Sequence, residues 1–228
     1  MQGKLVKQDS NDEPASELLK QIEDAKAQLI KEKKIKKSKP LPEITDDKKP
    51  FDIPNSWEWV RLGNIFTVKG GKRVPKGMTL SDEQTHGSKV YLRVADMKNN
   101  SIDTSNLKYA DEEILKKIKE YTISTNDLYF SIAGSIGKAG IIPQELDGAQ
   151  LTENAAKLVP VLPNNVFQKY SLYLLESNCV VNQCNEIISR VAQPKLALIK
   201  VKNLLLPLPP LSEQKRIASK IEEIFAAL

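Results

Sequence analysis

"LPLPPLSEQKRIASKIEEIF", Leu206 to Phe225, runs an apolar, proline-broken stretch directly into a charged helix. Proline lacks an amide donor and fixes φ, so Pro207, Pro209 and Pro210 predict an edge strand that must stop there. The helix after them is predicted to take Ser212 as its N-cap. Its apolar positions Ile217, Ile221, Ile224 and Leu228 step four, three and four. That is a heptad-like seam, narrower than the face of a helix packed on a globular core.

The other end of the chain carries the same spacing. "NDEPASELLKQIEDAKAQLIKEKKIKKSKP" places acidic residues and Pro14 first and lysines last, an order that suits the helix macrodipole. Leu18, Ile22, Ala25 and Leu29 again step four, three and four. Two matching seams predict coiled-coil-like pairing, within or between chains, through Leu18, Ile22, Leu29, Ile217, Ile221 and Ile224; the alternative is that each helix packs separately on the core.

Between the helices, "WEWVRLGNIFTV", "KVYLRVADM", "DLYFSIAGS" and "AAKLVPVL" are rich in β-branched and aromatic residues and bounded by turn formers, which predicts strands. "DEEILKKIKEY" and "NNVFQKYSLYLLESNCVVNQCNEIISRV" read as helices. The order is not a regular βαβ repeat, so the expected class is α+β, a mixed sheet flanked by N- and C-terminal coiled-coil-like helices. The expected division is 1–40 (helical), 41–210 (mixed domain) and 211–228 (start of the second helix).

The 228 residues are 40% apolar and 28% charged, ordinary for a globular protein. No window resembles a membrane span or signal peptide, which predicts cytoplasmic residence without a membrane partner. Cys179 and Cys184 read as reduced thiols, and with a single histidine, His86, no metal site is expected. The net charge of +5 is compatible with a nucleic-acid partner.

Enzyme motifs fail. A P-loop around Gly137-Lys138 would need glycine where Ile132 stands and a hydroxyl where Ala139 stands. His86 lies in a polar loop with no nucleophile motif, and no glycine-rich strand-to-helix turn supports a dinucleotide or methyl donor. No cofactor and no catalytic residue are expected. Two basic loops remain. "VKGGKRVPKGM" presents Lys69, Lys72, Arg73 and Lys76 among glycines that let backbone approach a ligand. Lysines there would neutralise phosphates, and an arginine can fork onto a guanine edge. "FSIAGSIGKAG" adds Ser135 and Lys138 on a tight turn. Arg93 in "YLRVADM" could reach a groove or pair with Asp96.

With these residues in place, the chain resembles a specificity (S) subunit of type I restriction–modification systems, over one target recognition domain and its flanking conserved segments. The proline-to-helix junction carries the resemblance, with "QGKLVKQDSNDEPASELLKQI", "IPNSWEWVRLGNI", "YLRVADM", "LYFSIAGSIGKAGI" and "ENAAKLVP". The resemblance implies a non-catalytic reader of double-stranded DNA. It would bind methyltransferase (M) subunits and, through the complex, the restriction–translocase (R) subunit. Family members carry two recognition domains separated by long helices, each reading half of a split site. One such domain here leaves three expectations open: a half-length subunit that forms a homodimer, a truncated product, or an excised piece. Two rival readings are a helical interaction or inhibitor module of the same complex that does not bind DNA, and a fragment of a DNA methyltransferase.

Overall fold

Pro14, at φ −64°, has no amide to satisfy and leads directly into α1, Ala15–Lys31. In the computed structural model, which describes residues 2–163, 166–189 and 194–227, β1 (Glu58–Arg61), α2 (Leu62–Ile65) and β2 (Phe66–Gly70) come next. Then follow β3 (Lys89–Leu92), β4 (Met97–Lys98), β5 (Ser101–Ile102), β6 (Tyr109–Ala110), α3 (Glu112–Ile118) and β7 (Thr122–Ile123). The next strands are β8 (Leu128–Ser131), β9 (Ala139–Ile141), β10 (Ala149–Leu151) and β11 (Ala155–Pro160). The C-terminal part holds α4 (Gln168–Leu175), α5 (Asn178–Ile188), α6 (Leu198–Lys202), β12 (Leu205–Leu208) and α7 (Leu211–Ala226). The class is α+β.

The chain forms two compact units, 1–67 with 160–183 and 199–228, and 68–159 with 184–198. The segment 41–210, expected as one domain, is therefore shared between them.

In the first unit β1 and β12 pair antiparallel, with Val60 opposite Leu206 and Trp59 opposite Pro207. The free edge of β12 is closed by a side chain. Gln183 accepts from Leu205 N at 2.8 Å and donates to Leu205 O at 2.9 Å, mimicking a strand. Arg61 is buried and donates to the carbonyls of Pro42, Glu43 and Asn203, tying three distant segments together.

The predicted cap of the last helix is corrected. Pro210 stands at the N-cap, no side chain caps the helix, and Ser212 is exposed inside the first turn. The Pro210 carbonyl accepts from Gln214 N at 2.9 Å, so the helix starts on a backbone bond. Glu213 and Gln214 are fully buried instead. Glu213 receives the Trp57 indole N–H at 2.8 Å and the Gln8 amide at 2.6 Å. Gln214 accepts from Phe167 N and donates to Pro209 O, while Arg216 forks onto Asp12 at 3.1 and 2.5 Å.

Within the chain the two seams are used separately. α1 lies on α2, where Lys26 reaches Gly63 O at 2.8 Å, and α7 lies on α4, joined by Lys169–Glu222 and an edge contact of Tyr173 with Phe225. Among the described residues α1 and α7 share no extended contact. Leu18, Ile22 and Ile217 are buried, Leu29 and Ile221 half-buried, and Ile224 is exposed. Pairing of the seams inside one chain is thus not formed. The apolar residues nearest the first turns of each helix are consumed by neighbours in the same unit.

The second unit holds two four-stranded sheets, ordered β6-β3-β10-β7 and β2-β11-β8-β9, and the β4-β5 ribbon. β3 and β10 run parallel while β6 and β7 flank them antiparallel, giving the mixed sheet. Leu92, Met97, Ile123, Tyr129, Leu151 and Ala155 form the main core. A second cluster packs α3 through Ile114 and Ile118 on Tyr91 and Ala110. α3 itself starts on Asp111, whose carboxylate accepts from Ile114 N at 2.8 Å.

Candidate nucleic-acid interface

The parallel pair ends in register, Leu92 opposite Leu151, so both strands open toward the same side. Beyond β10 lies the connector Thr152–Asn154, with Thr152 N bonded back to Leu92 O. Both predicted basic loops hang from this connector. In the first, Gly71 N donates to Ala155 O at 3.1 Å and Lys72 N to Leu151 O at 2.8 Å. A Cβ on Gly71 would lie 2.2 Å from the carbonyl oxygens of Leu151 and Thr152, so only glycine permits this approach. In the second, Ile132 N and Ala133 N both donate to Asn154 O.

The side chains of the first loop divide. Arg73 is 78% exposed and its Nε donates to Glu153 Oε1 at 2.6 Å. Lys72 sits over the Tyr121 ring, 5.6 Å from its centroid, leaving its ammonium at the surface. Burial pushes the Glu153 carboxyl up, but Arg73, the residue's own amide and the Thr152 hydroxyl outweigh it and hold the group below its ordinary value. Lys69 is exposed on β2 and Lys76 is exposed in the Pro75–Met78 turn, which docks through Val74 and Met78 on the α3 cluster. Among the described residues no hydrogen bond ties either lysine to the connector.

The second turn is built on Ser131. Its hydroxyl donates to Ser135 O at 2.5 Å and accepts from Lys138 N at 2.9 Å, and Gly134 and Gly137 take φ of +75° and +89°. Ser135 and Lys138 are exposed on it, with Lys138 Nζ 3.5 Å from Met97 O. Gly134 lies beside Val94, which brings this turn next to Arg93.

Arg93 resolves an open choice. It pairs with buried Asp96 through Nε at 3.0 Å and Nη2 at 2.6 Å, and Nη2 also donates to Asn106 O. The Asp96 hydrogen bonds raise its pKa further. Nε and Nη2 are engaged on the protein, so Arg93 takes the Asp96 pairing and braces the Val94–Asp96 turn.

Three contributors were not singled out from the sequence. Glu153 orients Arg73, Tyr121 supports Lys72, and exposed Lys195 lies against the second turn through an Ala133–Lys195 bridge. The polar triplet Thr152-Glu153-Asn154 between two short strands could have flagged the connector. Nothing local flagged Lys195, which lies far from the turn in sequence.

Among the described residues no cluster of His, Cys, Asp and Glu could hold a metal, and no helix is long and apolar enough to cross a membrane. Burial pushes the Cys179 and Cys184 thiols up to about 11, so both are held as unreactive thiols. A cavity of about 560 Å³ in the first unit, lined by residues such as Phe51, Trp57 and Trp59, contains none of these cations.

Comparison with known proteins places the chain in a family. Residues 54–228 match the family described as the type I restriction modification DNA specificity domain. The type I restriction enzyme EcoAI specificity subunit of Escherichia coli is 36% identical over 226 residues, 97% of this chain and 37% of that protein. The EcoEI specificity subunit of the same organism is 29% identical over 231 residues, 98% of this chain and 38% of that protein. The chain thus spans well under half the length of these relatives. In fold it is similar to the HsdS subunit from Thermoanaerobacter tengcongensis, with a TM-score of 0.56 at 20% identity over 93% of this chain and 45% of that one. A chain from a structure on complex assembly and conformational transition of the type I R-M system gives 0.61 at 19% identity, covering 93% of this chain and 46% of the other. With the family matched over residues 54–228 and the basic turns gathered at one strand end, the chain belongs to the type I restriction modification DNA specificity domain family.

Proposed function

We propose that this chain is a sequence-specific reader of double-stranded DNA that directs a partner methyltransferase, and through the complex a restriction–translocase subunit, to a split site. It supplies no catalytic group of its own. Methyl transfer belongs to the partner, and the assembly works in the cytoplasm. The reading is supported by two glycine turns anchored at one connector outside the C-terminal ends of β3 and β10, the first bearing Lys72 and Arg73 and the second bearing Ser135 and Lys138. Open α/β sheets favour ligand sites at such strand ends. The groups gathered there are exposed cations, a hydroxyl and glycine turns, suited to phosphates and base edges. Lys69, Lys76 and Lys195 extend the cationic surface to either side as phosphate contacts. A second copy of the chain, joined through the helix seams, would supply the other half-site, and two-fold symmetry would make that site palindromic.

The test is a salt titration of DNA binding. Each phosphate neutralised contributes about −0.9 to the slope of log affinity against log salt, so four contacts give about −3.6. A flat response, or no enrichment of any sequence from a random duplex library, overturns the proposal.

A further inference from the structure

The reading above, on which this inference rests, leaves open how a base would be discriminated. Of the two arginines at the strand ends, Arg93 has Nε and Nη2 committed to Asp96 and Asn106. Arg73 is held differently. Its bond to Glu153 is made by Nε, at 2.6 Å, while the side chain stays 78% exposed. A guanidinium carries five N–H donors in a plane. Fixing Nε leaves the two Nη groups, the edge that matches guanine O6 and N7.

Glu153 is itself held firmly. Its side chain is only 21% exposed, and Oε2 accepts from the Thr152 hydroxyl at 3.0 Å. The hydroxyl of buried Tyr91, 3.4 Å from the same oxygen, donates its one proton to Lys72 O at 2.8 Å, which braces the loop backbone beside the carboxylate. Glycine at 71 presses that backbone onto the connector. Loop, carboxylate and guanidinium are therefore positioned before any ligand arrives, which reduces the side-chain ordering that binding must supply.

We propose that Glu153 is a positioning residue that holds the Nη edge of Arg73 outward, making Arg73 a guanine reader rather than a phosphate contact. A carboxylate beside the arginine also weakens its attraction to phosphate, which favours the base edge over indiscriminate backbone binding. The two effects separate base preference from general affinity.

The experiment is selection from a random duplex library by the 228-residue chain and by Arg73→Lys, Glu153→Ala and Glu153→Gln, with binding to a duplex lacking the motif measured in parallel. Arg73→Lys and Glu153→Ala are expected to lower discrimination at one G·C pair by about tenfold or more. Preferences at the other positions stay, and affinity for the motif-free duplex is unchanged or higher in Glu153→Ala. Glu153→Gln keeps an acceptor for Nε and retains most of the preference. Arg73 is exposed, so Arg73→Lys decides the guanine contact even if Glu153→Ala fails to fold. A motif that survives unaltered in either Arg73→Lys or a folded Glu153→Ala, or one lost uniformly at all positions, overturns the inference alone. No motif for the unmodified chain overturns the DNA reading beneath it.

Discussion

Glu213 shows how a charged residue in a helix's first turn can be structural. It is fully buried at the start of α7 and receives the Trp57 and Gln8 donors. Burial pushes its carboxyl above the ordinary 4.5, against the pull of Trp57, Gln8 and Arg216, with Asp12 adding a smaller upward push. A carboxyl whose folded pKa is raised binds its proton more tightly in the native state than in the unfolded one. Its contribution to stability is therefore full at low pH and is lost as pH rises from about 4.5 through the folded value. In urea unfolding across that range, the stability of the wild type minus that of Glu213→Gln should fall with rising pH, by about 1.4 kcal/mol per unit of pKa elevation. A difference that grows with pH would show that the carboxylate form is the one the fold prefers.

At the level of elements, Gly71 and Gly77, two of the three glycines of the first basic loop, make opposite predictions from their surroundings. Gly71→Ala would drive a methyl to 2.2 Å from two backbone carbonyls, which cannot yield as a flexible side chain can. The connection from β2 to the connector must open, costing about 1–3 kcal/mol and moving Lys72 and Arg73 off the connector. Gly77 has φ +82° and open space around it, so Gly77→Ala costs only the left-handed backbone, about 1–2 kcal/mol, and leaves the site in place. Thermal melts paired with DNA-binding assays check this: comparable stability losses with binding lost only in Gly71→Ala is the expected pattern. Much of this architecture is legible in the chain itself. The four-three spacing locates α1 and α7, the prolines mark β12 as an edge strand, and the glycine-lysine clusters mark the loops, because each signal is local. The rest is set by contacts between residues distant in sequence. α2 is hidden inside a strand-like run, "WEWVRLGNIFTV", where Leu204 O takes the Leu62 amide. The two-residue strands β4 to β7 exist only through their partners. Glu153 gains its role from Arg73, eighty residues away in sequence. Arg93 looked as suited to a groove as to Asp96 until the turn of 94–96 placed the carboxylate under it.

For the molecule as a whole, the exposed end of α7 carries the proposed dimer. Ile217 is buried in its own unit, whereas Ile224, on the seam, and its neighbour Phe225 are 42% and 63% exposed. Phe225 makes an edge contact with Tyr173, centroids 6.4 Å apart, of a kind that contributes about 0.5–1.5 kcal/mol. Replacing both residues by lysine should therefore lower unfolding stability by about 1 kcal/mol while leaving the buried turn of Glu213 and Gln214 intact. If the seam joins two copies, the same variant sediments as a monomer at concentrations where the unmodified chain is a dimer. The DNA motif it selects collapses from a palindrome in two parts to a single half-site, since two-fold site symmetry requires two-fold protein symmetry. A monomeric unmodified chain, or a variant that keeps both the dimer and the palindrome, would remove the seam from the assembly and leave α7 as the partner of α4 alone.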